Sequence, residues 1–394
     1  MDADAAAPLS ARALSAGCLT RLGSLLCLLC LLGYGVLWSN LVQQTGGPDS
    51  YVRRTHFLVT LAAATLLASG DTGQLYDPAA QETARAVVLA GDSGPVELGP
   101  YSDPPFVALA LMPFVRADLG PGLLFTVWAV VTTTAAGLCI GLLAGRWPTP
   151  DGTPWLLMLA ATSFLPLIAS LMQGESAVLV LLGWTALTVG LKTGRDGIAG
   201  VGGGLVALAP WSLAPLLLVL AITGRWRTLN VLLGLLVTAI VALMPVLGTD
   251  WPIGYARAIL LPIHPDVTGL AGLVLAVAVL LVVWHPGAHA RVTWAPRTNG
   301  WDRRWAVTSL LALLLTLPWG PSAAVLALLP AWMMGTHLAN GLLARAPALF
   351  WGAWLTLGYT LGPMIALFPG AAGWTGGAWL VGAVLGGLWV LGPG

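Results

Sequence analysis

The chain has 394 residues, of which 57% are hydrophobic and only 8% charged, with a mean hydropathy of +0.86. A soluble domain carries roughly 25% charged residues, so this composition excludes one, and a formal net charge of +1 supplies no basic face for a nucleic-acid partner. Apolar runs of about 17–25 residues, long enough to cross a ~30 Å hydrocarbon core, recur along the chain and do not alternate as barrel strands would. The expectation is an all-α polytopic membrane protein.

Residues 1–21 read as a cytoplasmic tail and 22–394 as a single transmembrane domain. Leu14-Ser15-Ala16-Gly17-Cys18 has the look of a lipoprotein cleavage box. The apolar run follows Cys18 instead of preceding it, so the first span, 22–42, reads as an uncleaved anchor. An outer region of loops and juxtamembrane helices covers 43–118. It holds a short apolar helix over 55–69, too brief to span and expected along the interface, which Ser69-Gly70-Asp71 closes with a glycine exit. Pro104-Pro105 then opens a second short apolar piece that leads through Arg116 and Asp118 into the next span.

Further spans are expected at 119–145, 154–172, 176–191, 228–248, 268–284, 305–317, 321–343, 348–368 and 378–391. The remaining apolar stretch, 197–224, has Lys192 and Arg195 before it and Arg225 and Arg227 after it. Pro210 and Pro215, near its middle, each delete a helical N–H and clash with the preceding turn. A re-entrant hairpin keeps both basic pairs in the cytoplasm, as the positive-inside rule prefers. With the N-terminus inside, twelve of the 17 Lys and Arg residues are then cytoplasmic: Arg12, Arg21, Arg146, Lys192, Arg195, Arg225, Arg227, Arg291, Arg297, Arg303, Arg304 and Arg345. Arg53, Arg54, Arg85, Arg116 and Arg257 fall outside. The topology is about ten crossings with both termini cytoplasmic, in what reads as a bacterial cell membrane.

Trp38, Trp147, Trp226, Trp251 and Trp305 sit near span ends, as interfacial anchors do. Cys18, Cys27, Cys30 and Cys139 lie in or beside spans, so no disulfide is expected. His285 and His289 are separated by Pro286 and Gly287, a poor zinc pair. His337 and Asn340 form an intramembrane polar pair that helix–helix hydrogen bonding also explains.

Several stretches taken together resemble glycosyltransferase family 87, membrane mannosyltransferases of the GT-C type. They are Thr55-His56-Phe57-Leu58-Val59, Ala62-Ala63-Ala64, Ser69-Gly70-Asp71, Leu75-Tyr76-Asp77-Pro78, Pro104-Pro105-Phe106 with Met112-Pro113, Pro166 to Gly174, Gly194-Arg195-Asp196-Gly197-Ile198-Ala199-Gly200 and Arg225-Trp226-Arg227. The series runs in order over roughly residues 20–345. The resemblance implies a GT-C-like fold and transfer of a mannose-like sugar from a polyprenyl-phosphate donor to a lipid or envelope-glycan acceptor. The chain departs from the family where His56 replaces an acid, Ala209-Pro210 a Lys-Pro, Glu175 a glutamine and Asp103 a tyrosine. Pro318-Trp319-Gly320-Pro321 lacks the family's histidine.

Inverting sugar transfer needs a base for the acceptor hydroxyl and cationic or hydrogen-bonding help for the departing phosphate. His56 and Asp49 are the candidate catalytic residues, a neutral imidazole or a carboxylate being equally suited near pH 7. Arg53, Arg54, Arg116 and Arg257 are the outer cations that suit a phosphate. Asp71, Tyr76, Asp77, Asp103, Glu175 and His264 complete the expected substrate-binding set, with a divalent cation on Asp71 and Asp77 as an option and no cofactor certain. Plain structural roles stand beside these: Asp49, Asp71 and Asp77 adjoin turns that aspartate favours, and Arg53 and Arg54 suit lipid phosphates. Two other functions stay open. One is a catalytically silent GT-C-like subunit of a membrane-protein complex, and the other is a transporter, for which a broken helix is also characteristic.

Overall fold

The computed structural model describes residues 38–89, 99–147, 153–260, 299–316 and 325–339, with positions 25, 28–29, 31–36, 280 and 284. All regular structure among the described residues is helical. The helices are α1 (Pro48–Val52), α2 (Phe57–Ser69), α3 (Pro78–Leu89), α4 (Pro105–Arg116), α5 (Pro121–Arg146), α6 (Thr153–Thr162) and α7 (Leu165–Gln173). They continue with α8 (Ala177–Thr193), α9 (Asp196–Val206), α10 (Pro210–Ile222), α11 (Trp226–Leu247), α12 (Trp251–Leu260), α13 (Asn299–Thr316) and α14 (Leu328–Ala339).

Two of these, α5 with 26 residues and α11 with 22, are long and apolar enough to cross a membrane. They correspond to the expected spans at 119–145 and 228–248. The expected spans at 348–368 and 378–391, most of 268–284, and His264 lie outside the described residues. The expected span at 154–172 is broken in two. α6 stops at Thr162 and α7 restarts at Leu165 with a proline in its first turn, because Pro166 cannot continue the ladder of the preceding helix.

The short helix α2 is enclosed by its neighbours. Its side chains are buried from Phe57 through Ala64 and again at Leu66 and Leu67, and it packs against α3 and α4. A helix apolar on every side is enclosed by its neighbours. By contrast α11 leaves Val237, Val241 and Val246 exposed, and α5 leaves Leu123, Val130 and Leu138 exposed. Contiguous apolar faces of this kind are uncommon on soluble monomers.

The bundle has two ends. At the first, the Gly122 N–H opening α5 donates to Asp49 Oδ1 at 2.6 Å. At the other, Arg146 near the end of α5 donates to the Lys192 carbonyl near the end of α8 at 3.3 Å. From there α9 runs back along α8 at backbone contact: a methyl at Gly183 would lie 2.7 Å from the Gly202 carbonyl oxygen, the close approach that small residues permit. The chain breaks at 207–209 and α10 returns. Thr228 then donates to Asp196 Oδ1 at 2.8 Å, so residues 197–224 leave and re-enter the same end. α11 runs parallel to α9, with Gly200 against Val231 and Gly204 against Leu235, and carries α12 to the first end. α13 is held at the second end by Lys192, whose Nζ donates to both Asp302 oxygens at 2.7 Å.

Candidate functional site

Polar side chains converge at the first end, where four separate segments meet. Pro104 caps α4 and Pro105 opens it, so Asp103 is presented from the irregular approach 99–104 just before the helix. Gln81 ties this approach to the 75–77 turn: its Nε2 donates to the Leu75 carbonyl at 2.7 Å, and its Oε1 accepts the Tyr101 N–H at 2.7 Å. Tyr101 is buried and its hydroxyl donates to the Pro104 carbonyl at 2.8 Å.

The third segment is the turn between α7 and α8. Gly174 takes a left-handed conformation (φ 67°), and a Cβ there would lie 2.8 Å from Phe57 Cβ, so only glycine lets this turn close on the start of α2. Tyr51 donates to the Met172 carbonyl at 2.9 Å, Trp128 Nε1 to the Gly174 carbonyl at 2.8 Å, and the His56 N–H to Gln173 Oε1 at 3.2 Å. Burial pushes the Tyr51 phenol up to about 12, so it stays a donor. Ser176, at the entry to α8, donates to Asp103 Oδ2 at 3.0 Å.

Asp103 is half-buried and its carbonyl accepts the Tyr76 hydroxyl at 3.0 Å. Burial raises its carboxyl above the ordinary range, while the nearby His56 imidazole and the Ser176 hydroxyl pull the other way. The fourth segment is α12, which sets Tyr255 beside Tyr76 with ring centroids 5.5 Å apart, while Tyr76 stacks on Tyr101 at 6.0 Å. Desolvation first, and then the Asp103 charge, holds the Tyr255 phenol well above its usual value. The Tyr255 hydroxyl is buried with no hydrogen-bond partner among the described residues. An orphaned buried donor is disfavoured in a packed protein and calls for an explanation.

The remaining sequence candidates are distributed differently. Asp49 is engaged with the N-terminus of α5. Asp71 accepts from Ser69 at 3.2 Å, and Asp77 accepts the Ala79 N–H at 3.4 Å at the start of α3. Arg54, Arg116 and Arg257 are exposed, Arg53 and Glu175 half-buried. Glu175 directly precedes Ser176, so it borders the cluster. Among the described residues no three His, Cys, Asp or Glu side chains gather as a metal ion requires. The site as built is His56, Asp103, Ser176, Tyr76 and Tyr255: the Ser176 hydroxyl is bonded to the Asp103 carboxyl, the Tyr76 hydroxyl to the Asp103 backbone carbonyl, and the Tyr255 hydroxyl is left over among the described residues.

Ser176 and Tyr255 were not singled out from the sequence. A serine at a helix start reads as an ordinary cap, and its partner lies 73 positions away. Tyr255 lacks any local motif. A shallow apolar groove of about 350 Å³ lies below the cluster between Trp38 and the Phe125–Thr134 face of α5. Phe125 borders both, since it also meets the Gly174 turn. No protein-family model, curated protein or solved structure matches this chain.

Proposed function

We propose that the protein is an integral membrane glycosyltransferase that moves a mannose-like sugar from a polyprenyl-phosphate donor to a lipid or glycan acceptor on the outer face of a bacterial cell membrane. The observation that carries this reading is the Asp103 carboxyl, held by Ser176 at 3.0 Å with His56 beside it, at the end of the bundle opposite the Lys192–Asp302 pair. A carboxyl whose proton affinity is raised by burial is a stronger base once ionised. It would take the acceptor hydroxyl proton, with His56 supporting its charge. The unpartnered Tyr255 hydroxyl would donate to the sugar, and one of the exposed arginines at this end, Arg54, Arg116 or Arg257, would meet the donor phosphate. The groove along α5 offers the polyprenyl chain an apolar berth. In this reading α5 and α11 cross the membrane, residues 197–224 form a re-entrant hairpin, and the Lys192 end with both termini is cytoplasmic.

The decisive experiment supplies purified protein with polyprenyl-phosphate mannose and a lipid acceptor. Sugar transfer that Asp103→Asn abolishes supports the reading. Absence of transfer from every polyprenyl-phosphate donor, with envelope glycans unchanged in cells carrying His56→Ala or Asp103→Asn, removes it.

The second reading, a catalytically silent subunit of a membrane complex, draws on one specific observation. Asp49, Asp71 and Asp77 all serve helix ends and turns instead of converging on an acceptor.

A further inference from the structure

Four aromatic rings run in a row at the first end of the bundle: Tyr101, Tyr76, Tyr255 and Trp251. Successive centroids lie 6.0, 5.5 and 6.3 Å apart. Tyr101 and Tyr76 come from the approach to α4 and the 75–77 turn, whereas Trp251 and Tyr255 both belong to α12. Spaced four residues apart, these two share one face of that helix.

Hydrogen bonding divides the row. The Tyr101 hydroxyl donates to the Pro104 carbonyl at 2.8 Å and the Tyr76 hydroxyl to the Asp103 carbonyl at 3.0 Å. Trp251 Nε1 and the Tyr255 hydroxyl are both buried with no partner among the described residues. A buried phenol O–H or indole N–H ordinarily finds one, and here two groups on one helix face lack it. Interfacial anchoring does not account for Trp251, because a belt tryptophan keeps its polar edge among headgroups and water.

Both groups offer a proton. Desolvation, and then the Asp103 charge, keep the Tyr255 phenol protonated, and an indole N–H can only donate. The rings themselves are not closed off, since Tyr76, Trp251 and Tyr255 are all half-buried. Neutral donors set in an aromatic wall suit an uncharged ligand rich in oxygen acceptors, a few convergent polar groups being enough to fix its orientation.

We infer that the Trp251–Tyr255 face of α12 is the sugar subsite. A hexose lies with its C–H bonds against the open Tyr76 and Tyr255 ring surface and accepts hydrogen bonds from the Tyr255 O–H and the Trp251 N–H, which a small turn of either half-buried ring brings to it. With a sugar as occupant the subsite rests on the transferase reading, and it makes Trp251 a specificity-determining residue that tells a sugar-bearing lipid phosphate from a bare one.

The test measures equilibrium binding to the full chain in nanodiscs, with radiolabelled short-chain prenyl-phosphate mannose and the bare prenyl phosphate as probes. Trp251→Phe and Tyr255→Phe each delete one donor and keep an aromatic ring. Wild type should bind the mannosyl probe more tightly than the bare one. Each variant should lose affinity for the mannosyl probe about three- to ten-fold, the worth of one neutral hydrogen bond, and none for the bare probe. Thermal midpoints without ligand should hold or rise, because the deleted donor had no partner to lose. Equal affinity of wild type for the two probes, unchanged binding in the folded variants, or an equal loss for both probes overturns the subsite. A fall in the ligand-free midpoint with unchanged binding would assign the donors to enclosed water instead. Should one variant fail to fold, the other decides. Discrimination lost in the variants without any sugar transfer by wild type keeps the subsite and removes the transferase. Transfer by wild type with discrimination intact in both variants does the reverse.

Discussion

The Thr228 hydroxyl donates to Asp196 Oδ1 at 2.8 Å, which joins the residue before the doubled-back segment to one just after it. This bond sets the direction of α11. Were residues 197–224 a straight crossing, α11 would start at the opposite end and α12 would finish far from Asp103. Because the segment returns, Tyr255 arrives beside Tyr76 and the Asp103 approach.

That arrangement predicts which cysteines label together. Arg195→Cys and Arg227→Cys, introduced singly into cells, should react with an impermeant maleimide only after the membrane is opened. Asp77→Cys should react from outside in intact cells. Labelling of Arg195→Cys and Arg227→Cys from opposite sides would contradict the doubled-back path.

Asp103→Asn should lower sugar transfer by about 10²–10⁴, the usual contribution of a general base, while raising thermal stability at neutral pH. The sign follows from burial. Native Asp103 holds its proton to higher pH than the unfolded chain does. Its contribution to stability is therefore lost as pH rises from about 4, the unfolded carboxylate value, through the raised native value. Asparagine keeps an acceptor for Ser176 and removes that loss, so the gap in Tm between variant and wild type should widen from pH 4 upward. A variant that loses Tm at pH 7 would show Asp103 to be a structural anion.

His56→Gln should move the acid limb of the activity profile to higher pH. His56 lowers the proton affinity of Asp103, and without it the carboxyl ionises later. Rates measured across pH 5–8 in wild type and variant make the comparison. An unshifted limb would detach His56 from the base.

Gly174→Ala should destabilise the protein. The left-handed backbone alone costs about 1–2 kcal/mol for a residue with a Cβ, and the methyl would also meet Phe57 Cβ at 2.8 Å. Because the same turn carries Ser176, transfer should fall with Tm. Unchanged Tm would mean the turn can shift freely.

Lys192→Met should cost up to about 3–5 kcal/mol, the penalty for removing the countercharge of a buried carboxylate, since Asp302 is only 3% exposed and keeps Trp147 Nε1 as a neutral donor at 3.3 Å. The double variant Lys192→Met with Asp302→Leu should recover much of that loss. Denaturant midpoints of the two singles and the double form the cycle that measures the coupling.

Composition and hydropathy alone determined that the chain is helical and apolar beyond any soluble domain. Local breakers were partly legible: Pro210 stands just after the break at 207–209, whereas Pro215, also expected to break the helix, is carried inside α10, and Gly70 marked the end of α2. These signals are short-range, acting within a turn or two of the helix that carries them. Hydropathy averages over a window and so passes across the Ser163–Phe164 break, where α6 ends and α7 begins. Side-chain partnership was not legible at all. Asp49 lies on the same loop as His56 yet is bound to Gly122, while Ser176 and Tyr255 reach Asp103 from segments far along the chain. Only the packing of α2, α4, α8 and α12 decides those meetings, because a hydrogen bond depends on where helix ends come together in space and not on spacing along the sequence.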